Sequence, residues 1–144
     1  MIILITQTMA IWLILIEPQY RDKIMQNTNG IVKTFNENDF INEFRLCDRK
    51  DNFSYKGLRI LFESLEQTAI DCGINIEMDV IALCCEYSED SIADIINNYD
   101  VDMTDCDSDD EKIETVEYYL QDNTYVCGQY EDDNGVTYFV YQAF

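Results

Sequence analysis

Residues 53–87 read FSYKGLRILFESLEQTAIDCGINIEMDVIALCCEY and decide the fold. The apolar side chains of the first half recur at spacings of three and four residues, as on one face of a helix: Leu58, Leu61, Phe62, Leu65 and Ala69. Ser54 stands where a helix N-cap is needed, because its hydroxyl accepts a hydrogen bond from an amide of the first turn. Gly73 supplies the left-handed residue on which helices commonly end. The sequence therefore predicts one amphipathic helix between Ser54 and Gly73.

The stretch after this helix has the pattern of a strand. Apolar and polar residues alternate over 74–79, and residues 80–85 then run without a polar break. Such a run is typical of a central strand that is covered on both faces. We therefore expect a strand at about 78–86. Cys84 and Cys85 would point to opposite faces of the sheet and fill two separate apolar layers.

The remaining patterns predict further helices and a hairpin around this unit. The helices are expected at about 37–48 with a cap at Asn36 or Asn38, from a cap at Ser88 to Asp90 through Asn98, and from Asp109 to about Leu120. Asn134 and Gly135 lie between two β-rich runs at the C-terminus, which is a strong hairpin signal. The predicted fold class is α+β, with a small antiparallel sheet formed by the 78–86 strand and the C-terminal hairpin, packed with three or four helices.

Two segments differ in composition. Residues 1–24 form an apolar extension, and residues 25–144 form a single acidic domain. The most apolar part, residues 1–16, is shorter than the roughly 20 residues that span a bilayer as a helix, and no positive charge precedes it as in a secretory signal. Three interpretations remain: a membrane anchor, an extra element packed on the domain, or an extension upstream of a native start at Met25.

Negative charge is the strongest compositional signal. The net charge is −20, and residues 61–144 contain Lys112 as their single basic residue against 22 acids. A field of this sign repels nucleic acid and anionic membrane surfaces, and attracts basic proteins and cations. We therefore expect no direct binding to nucleic acid and a basic protein as partner.

Motifs for catalysis or cofactor binding are missing from the sequence. There is no His, no C-x-x-C pair for zinc, no G-x-S-x-G and no Gly-rich phosphate loop. We expect neither enzymatic activity nor a cofactor. The six cysteines are expected to be reduced, which agrees with a cytoplasmic location in a host cell.

The acidic stretch at 100–111, DVDMTDCDSDDE, invites comparison with a calcium loop. Asp105, Asp107 and Asp109 would take positions 1, 3 and 5 of an EF-hand. Position 6 is then an aspartate where glycine is needed, and position 12 is Val116 where a bidentate glutamate is needed. A weak cation-binding module remains an alternative function, and a solvated polar loop is the favoured interpretation.

Three stretches resemble small acidic proteins of phages and other mobile elements: NFSYKGLRILFESLE at 52–66, IEMDVIALCCEYSE at 76–89 and LQDNTYV at 120–126. The resemblance covers roughly residues 34–144 and leaves out the apolar extension. Acidic phage proteins of this size often resemble anti-restriction or anti-CRISPR inhibitors. The resemblance carries no functional residue over to this chain.

Charge and resemblance together lead to a hypothesis of DNA mimicry. Duplex DNA presents one charge per about 1.7 Å of axis, and a concentration of carboxylates would occupy a basic groove built to meet that density. The predicted inhibitor would bind a basic, nucleic-acid-binding host defence protein. Its candidate contact residues are Asp94, Asp100, Asp102, Asp105, Asp107, Asp109, Asp110, Glu111, Glu114 and Glu117. The alternatives are an acidic surface that only keeps the protein in solution, and a membrane-associated accessory protein anchored by residues 1–16.

Overall fold

The computed structural model describes residues 33–144, and the folded unit runs from Phe35 to Phe144. It is an α+β fold, as the sequence predicts. Its elements in chain order are α1 (Glu37–Leu46), α2 (Tyr55–Cys72), α3 (Val80–Glu86), β1 (Tyr87–Ser91), α4 (Ile92–Tyr99), α5 (Asp109–Asn123), β2 (Val126–Glu131) and β3 (Thr137–Gln142).

The predicted caps set the ends of α1 and α2. The Asn36 side chain accepts a hydrogen bond from the Asp39 amide at 2.9 Å, and Ser54 Oγ accepts one from the Gly57 amide at 2.9 Å. Gly73 ends α2 in the left-handed conformation at φ 63°. Each cap satisfies a backbone group that has no partner within its helix, so the prediction of both helices is confirmed.

The helices α4 and α5 also begin at serine caps. Ser91 caps α4, one residue later than the predicted Ser88-to-Asp90 cap. Ser108 caps α5 through a capping box, in which Ser108 Oγ accepts from the Glu111 amide and the Glu111 carboxylate accepts from the Ser108 amide. The acids of the first turn favour the positive end of the α5 dipole. This helix continues to Asn123, three residues past the predicted end.

The prediction of a strand at 78–86 is wrong. Residues 80–86 form the helix α3, because the Asp79 carboxylate accepts hydrogen bonds from the amides of Ile81 and Ala82 and caps a helical turn. Val80 and Leu83 lie one turn apart, and both are buried on the same side. Cys84 and Cys85 therefore lie on a helix rather than on two faces of a sheet. With α3, the described residues contain five helices instead of three or four.

The strand that joins the hairpin is β1, which follows α3 directly and reads YSEDS. The sheet has the order β1-β3-β2, and both pairs are antiparallel. Glu89 lies opposite Val140, and Asp90 lies opposite Phe139. The predicted hairpin of β2 and β3 is confirmed, with Gly135 at φ 80° in its turn. The Asp132 carboxylate closes this turn by accepting from the amides of Asn134 and Val136, both at 2.8 Å.

Helices cover both faces of the sheet, because successive residues of β3 point to opposite sides. Val140 belongs to a core with residues of α1, α2, α3 and the connection between α1 and α2: Phe40, Ile41, Phe44, Phe53, Leu58, Leu61, Val80 and Leu83. Phe139 and Tyr141 belong to a second core with residues of α4 and α5: Ile95, Val116 and Leu120. The fold therefore has two helical layers, one on each side of β3.

Candidate acidic binding surface

The helical layer formed by residues 92–123 is the acidic part of the fold, and we call it the acidic layer. It comprises α4, α5 and the connection between them, and it contains eleven carboxylates against Lys112 alone. Residues 33–86, which include the three helices of the other layer, also contain eleven carboxylates but six lysines and arginines. Negative charge is thus far less compensated on one side of the sheet than on the other.

All ten candidate residues of the sequence analysis lie in the acidic layer. Nine of the ten are exposed, and Glu117 is partly exposed. Sequence reasoning missed one carboxylate, Asp122, because it ended the last helix at Leu120. The signal that would have found Asp122 is the absence of any helix-breaking residue before Thr124.

Two of these carboxylates accept hydrogen bonds that stabilise the local backbone. The Glu111 carboxylate accepts from the amides of Asp107 and Ser108, and these two hydrogen bonds hold the pKa of Glu111 below its usual range. Asp102 accepts from the amide and hydroxyl of Thr104, which lowers the pKa of Asp102. These hydrogen bonds shape the connection and the start of α5, so a partner that took the same oxygens would have to break them.

Three further carboxylates are engaged with neighbouring side chains. Asp109 forms an ion pair with Lys112 at 2.8 Å, and this contact lowers the pKa of Asp109. Asp94 accepts a hydrogen bond from Ser91 Oγ at 2.6 Å, and Glu117 accepts one from the Gln121 amide at 3.0 Å. Lys112 is the single basic residue of the acidic layer, and it is paired with Asp109. No other lysine or arginine within residues 92–123 is left to neutralise the remaining carboxylates.

Six carboxylates of the acidic layer have no hydrogen bond or ion pair to any residue within 33–144. They are Asp100, Asp105, Asp107, Asp110, Glu114 and Asp122. All six are exposed. A partner that binds them breaks no contact within the described fold, so they are the strongest candidates for contact residues.

Helix α5 arranges part of this charge in a regular row. Asp110, Glu114 and Glu117 follow one another at spacings of four and three residues, which places their Cβ atoms about 5–6 Å apart on one face. The row spans about 10 Å at the helical rise of 1.5 Å per residue. Each charge thus takes about 5 Å, compared with about 3.4 Å of axis per phosphate along one DNA strand. The row approaches the charge density of one strand within a factor of two.

The connection before α5 does not gather its carboxylates into a metal site. Asp107 donates its amide to Glu111, and Asp109 turns to Lys112, so the three aspartates of the calcium comparison serve different local contacts. Within residues 33–144, no group of three or more acids and cysteines is arranged to hold a metal ion. The prediction of a cation-binding module gains no support from this geometry.

Two carboxylates that sequence reasoning did not single out lie between the layers. Glu89 accepts hydrogen bonds from the Ser54 amide at 2.7 Å and from the Tyr130 hydroxyl. Asp90 accepts from the Tyr141 hydroxyl at 2.7 Å. Burial and the Glu89 hydrogen bond raise the pKa of Tyr130 to about 12, and burial and neighbouring groups raise that of Tyr141 further. Both tyrosines therefore stay protonated as donors, and they hold the polar strand β1 in the sheet.

No helix within the described part of the chain is long and apolar enough to cross a membrane. Residues 1–16, on which the membrane-anchor hypothesis rests, lie outside the described residues, and so do Met25 and the proposed boundary at residue 24. Comparisons with protein-family models, with curated proteins and with solved structures returned no match. The mobile-element origin therefore stays a prediction from the sequence.

Proposed function

We propose that this chain binds a basic, nucleic-acid-binding protein through its acidic layer and competes with nucleic acid for that protein's groove. The biological setting that we propose is a mobile element that inhibits a host defence protein. The observation that supports this proposal is the set of six exposed carboxylates that have no side-chain partner among residues 33–144, in a layer whose single basic residue is already paired with Asp109.

Charge alone attracts many basic surfaces, so a specific partner needs a further contact. Tyr118 offers one, since its side chain is 57% exposed on α5 and lies four residues from both Glu114 and Asp122. An exposed aromatic ring among carboxylates favours an arginine, which stacks on the ring while its guanidinium binds the acids. Exposed tyrosines are also common among the residues that dominate binding energy in interfaces.

The test is capture from a bacterial lysate on the immobilised full chain, followed by elution with a duplex DNA oligonucleotide. Competition predicts that the duplex releases the captured protein, and that capture falls steeply between about 50 and 200 mM salt. Proteins that the duplex does not release count against the mimicry, however tightly they bind.

A matched pair of variants locates the binding surface. The first variant neutralises four free carboxylates of the acidic layer: Asp105→Asn, Asp107→Asn, Asp110→Asn and Glu114→Gln. The control neutralises four acids of the other layer: Asp48→Asn, Asp51→Asn, Glu63→Gln and Glu66→Gln. Both variants have the same net charge. We expect the first to lose DNA-releasable capture and the control to keep it, whereas equal loss in both would reduce the interaction to net charge and overturn the proposal.

A further inference from the structure

A groove of about 320 Å³ opens between the second half of α2 and the segment that leads through α3 into β1. This volume lies at the lower end of the range of ligand-binding sites. Leu65, Ile76 and Leu83 contribute apolar surface to the groove, and no lysine or arginine lines it. The groove belongs to the layer of α1, α2 and α3, on the face of the sheet opposite the acidic layer.

Acidic side chains rim the groove. Asp79 is engaged as the cap of α3, but the side-chain carboxylates of Glu77 and Glu86 have no hydrogen bond or ion pair to another residue within 33–144. Tyr87 also lines the groove, and its hydroxyl makes no hydrogen bond within the same residues. Burial raises the pKa of Tyr87 to about 12, so this hydroxyl is available as a donor at neutral pH. The groove thus combines an apolar floor with two unpaired charges of one sign and one free donor.

Exposed apolar side chains also lie on the segments of the chain that form the groove. Ile70 in the last turn of α2 is 67% exposed, Ile76 is 39% exposed, and Ile81 at the start of α3 is 49% exposed. Single exposed apolar residues are ordinary on a protein surface, but exposed apolar residues in and around an apolar groove are typical of an interaction site.

We propose that this groove docks an amphipathic helix with lysines or arginines beside its apolar stripe, supplied by a partner protein. The apolar stripe of such a helix lies on Leu65, Ile76 and Leu83, which is the helix-in-groove mode of recognition. Its basic residues reach Glu77 and Glu86 at the rim. An anionic or purely apolar occupant would leave these two carboxylates unpaired or desolvated, which costs free energy.

This site differs in kind from the acidic layer. The acidic layer presents charge on an exposed helix and connection. The groove instead binds a helix through an apolar stripe on its floor and through basic residues that contact its rim. The two sites lie on opposite faces of the sheet, so either one can fail without the other. A partner that reached both would have to extend around the edge of the sheet.

The probe is a fluorescein-labelled synthetic peptide of about 15 leucines and lysines, with the leucines at the i, i+3, i+4 spacing of one helix face. A second peptide has the same composition in scrambled order. Binding of each to the full chain is measured by fluorescence anisotropy at physiological salt. We expect the amphipathic peptide to bind about tenfold more tightly than the scrambled one, since both have the same charge and only one presents a continuous apolar stripe.

Two double charge reversals distinguish the groove from general attraction. Glu77→Lys with Glu86→Lys is expected to weaken peptide binding about tenfold. Asp51→Lys with Glu131→Lys changes the net charge equally at two exposed positions outside both the groove and the acidic layer, and is expected to weaken it less than about threefold. Ile76→Ser, which leaves the charge unchanged, is expected to weaken it about threefold through lost apolar contact.

Three results would overturn the proposal. One is equal affinity for the two peptides, and another is equal loss in the two charge-reversal variants, which would leave only non-specific attraction. The third is self-association of the chain in sedimentation experiments that Ile76→Ser abolishes while the peptide fails to bind, because the groove is then an interface between two copies. None of these results bears on whether duplex DNA releases a protein captured by the acidic layer.

Discussion

Replacing Gly57 with alanine is expected to destabilise this fold, although alanine normally favours a helix over glycine. Gly57 lies in the first turn of α2, where the Glu89 carboxylate of β1 approaches the backbone closely. A Cβ added at Gly57 would lie 2.5 Å from Glu89 Cδ and closer still to Oε2. Real Cβ atoms do not come this close to other heavy atoms, so the Glu89 side chain has to move away.

The magnitude follows from the contacts that Glu89 then loses. Its carboxylate accepts from the Ser54 amide at 2.7 Å and from the Tyr130 hydroxyl. Hydrogen bonds to a charged group contribute about 1.5–3 kcal/mol each, and the low end applies here because Glu89 is only partly buried. Losing both costs about 3 kcal/mol, and the helix preference of alanine returns about 1 kcal/mol. The net loss is about 2 kcal/mol in the free energy of unfolding.

A double-mutant cycle by urea denaturation tests this reasoning. In a Glu89→Ala background the added Cβ meets no carboxylate, so Gly57→Ala is expected to stabilise the protein by up to about 1 kcal/mol. The effect of one substitution thus changes sign with the residue at position 89, and the coupling energy is about 3 kcal/mol. If Gly57→Ala destabilised both backgrounds equally, the close approach of Glu89 would not be the reason for glycine at this position.

Three further predictions concern burial, hydrogen bonding and pH. Phe44→Ala removes a fully buried ring and is expected to lower the free energy of unfolding, measured by urea denaturation, by about 3–5 kcal/mol. The control is Leu46→Ala on the same helix, where the side chain is 78% exposed; it is expected to change the free energy of unfolding by less than about 0.5 kcal/mol. Tyr141→Phe leaves Asp90 without its hydrogen-bond donor and is expected to lower the free energy of unfolding by about 1–3 kcal/mol. Tyr118→Phe is the control and is expected to change little, because the Tyr118 hydroxyl makes no hydrogen bond within the described residues. An equal effect of the two substitutions would contradict the role given to Asp90. Glu111→Gln is expected to lower the melting temperature at pH 7. The difference from the natural chain should shrink as the pH falls below the ordinary glutamate pKa and through the lowered pKa of Glu111, because this carboxylate stabilises the fold only while it is ionised; a difference that stayed constant down to the lowest pH at which the protein is folded would exclude the charge of Glu111 as its source.

Local signals explain which parts of the fold could be predicted from the sequence. The helix α2 is long, periodic and closed by Ser54 and Gly73, and the hairpin turn has the Asn-Gly pair that its backbone requires. Residues 80–86 are too short and too uniformly apolar for their periodicity to separate a helix from a buried strand. The deciding feature is Asp79: aspartate is a favoured N-cap residue, but the apolar run that follows it also fits a strand, and the hydrogen bonds from the following amides show that Asp79 caps a helix.

The strand β1 could not be predicted, because its sequence YSEDS has the composition of a loop. What makes it a strand is supplied from far along the chain. The Tyr130 and Tyr141 hydroxyls bind Glu89 and Asp90 on opposite faces of the sheet. Side-chain contacts between residues 41 and 51 positions apart leave no periodic pattern in the sequence, so the sequence predicts the start of a helix at this polar segment.

The hydrogen-bond partners likewise separate the carboxylates that we propose as contact residues from those that shape the fold. The sequence places the acidic residues in one region, but only their partners show that Glu111 and Asp102 shape the backbone while Asp110 and Glu114 do not. Like charges held close together repel and destabilise a compact state, and a basic partner removes that repulsion when it binds. The proposed binding would therefore also stabilise the fold, because a basic partner would relieve the repulsion among the carboxylates of the acidic layer.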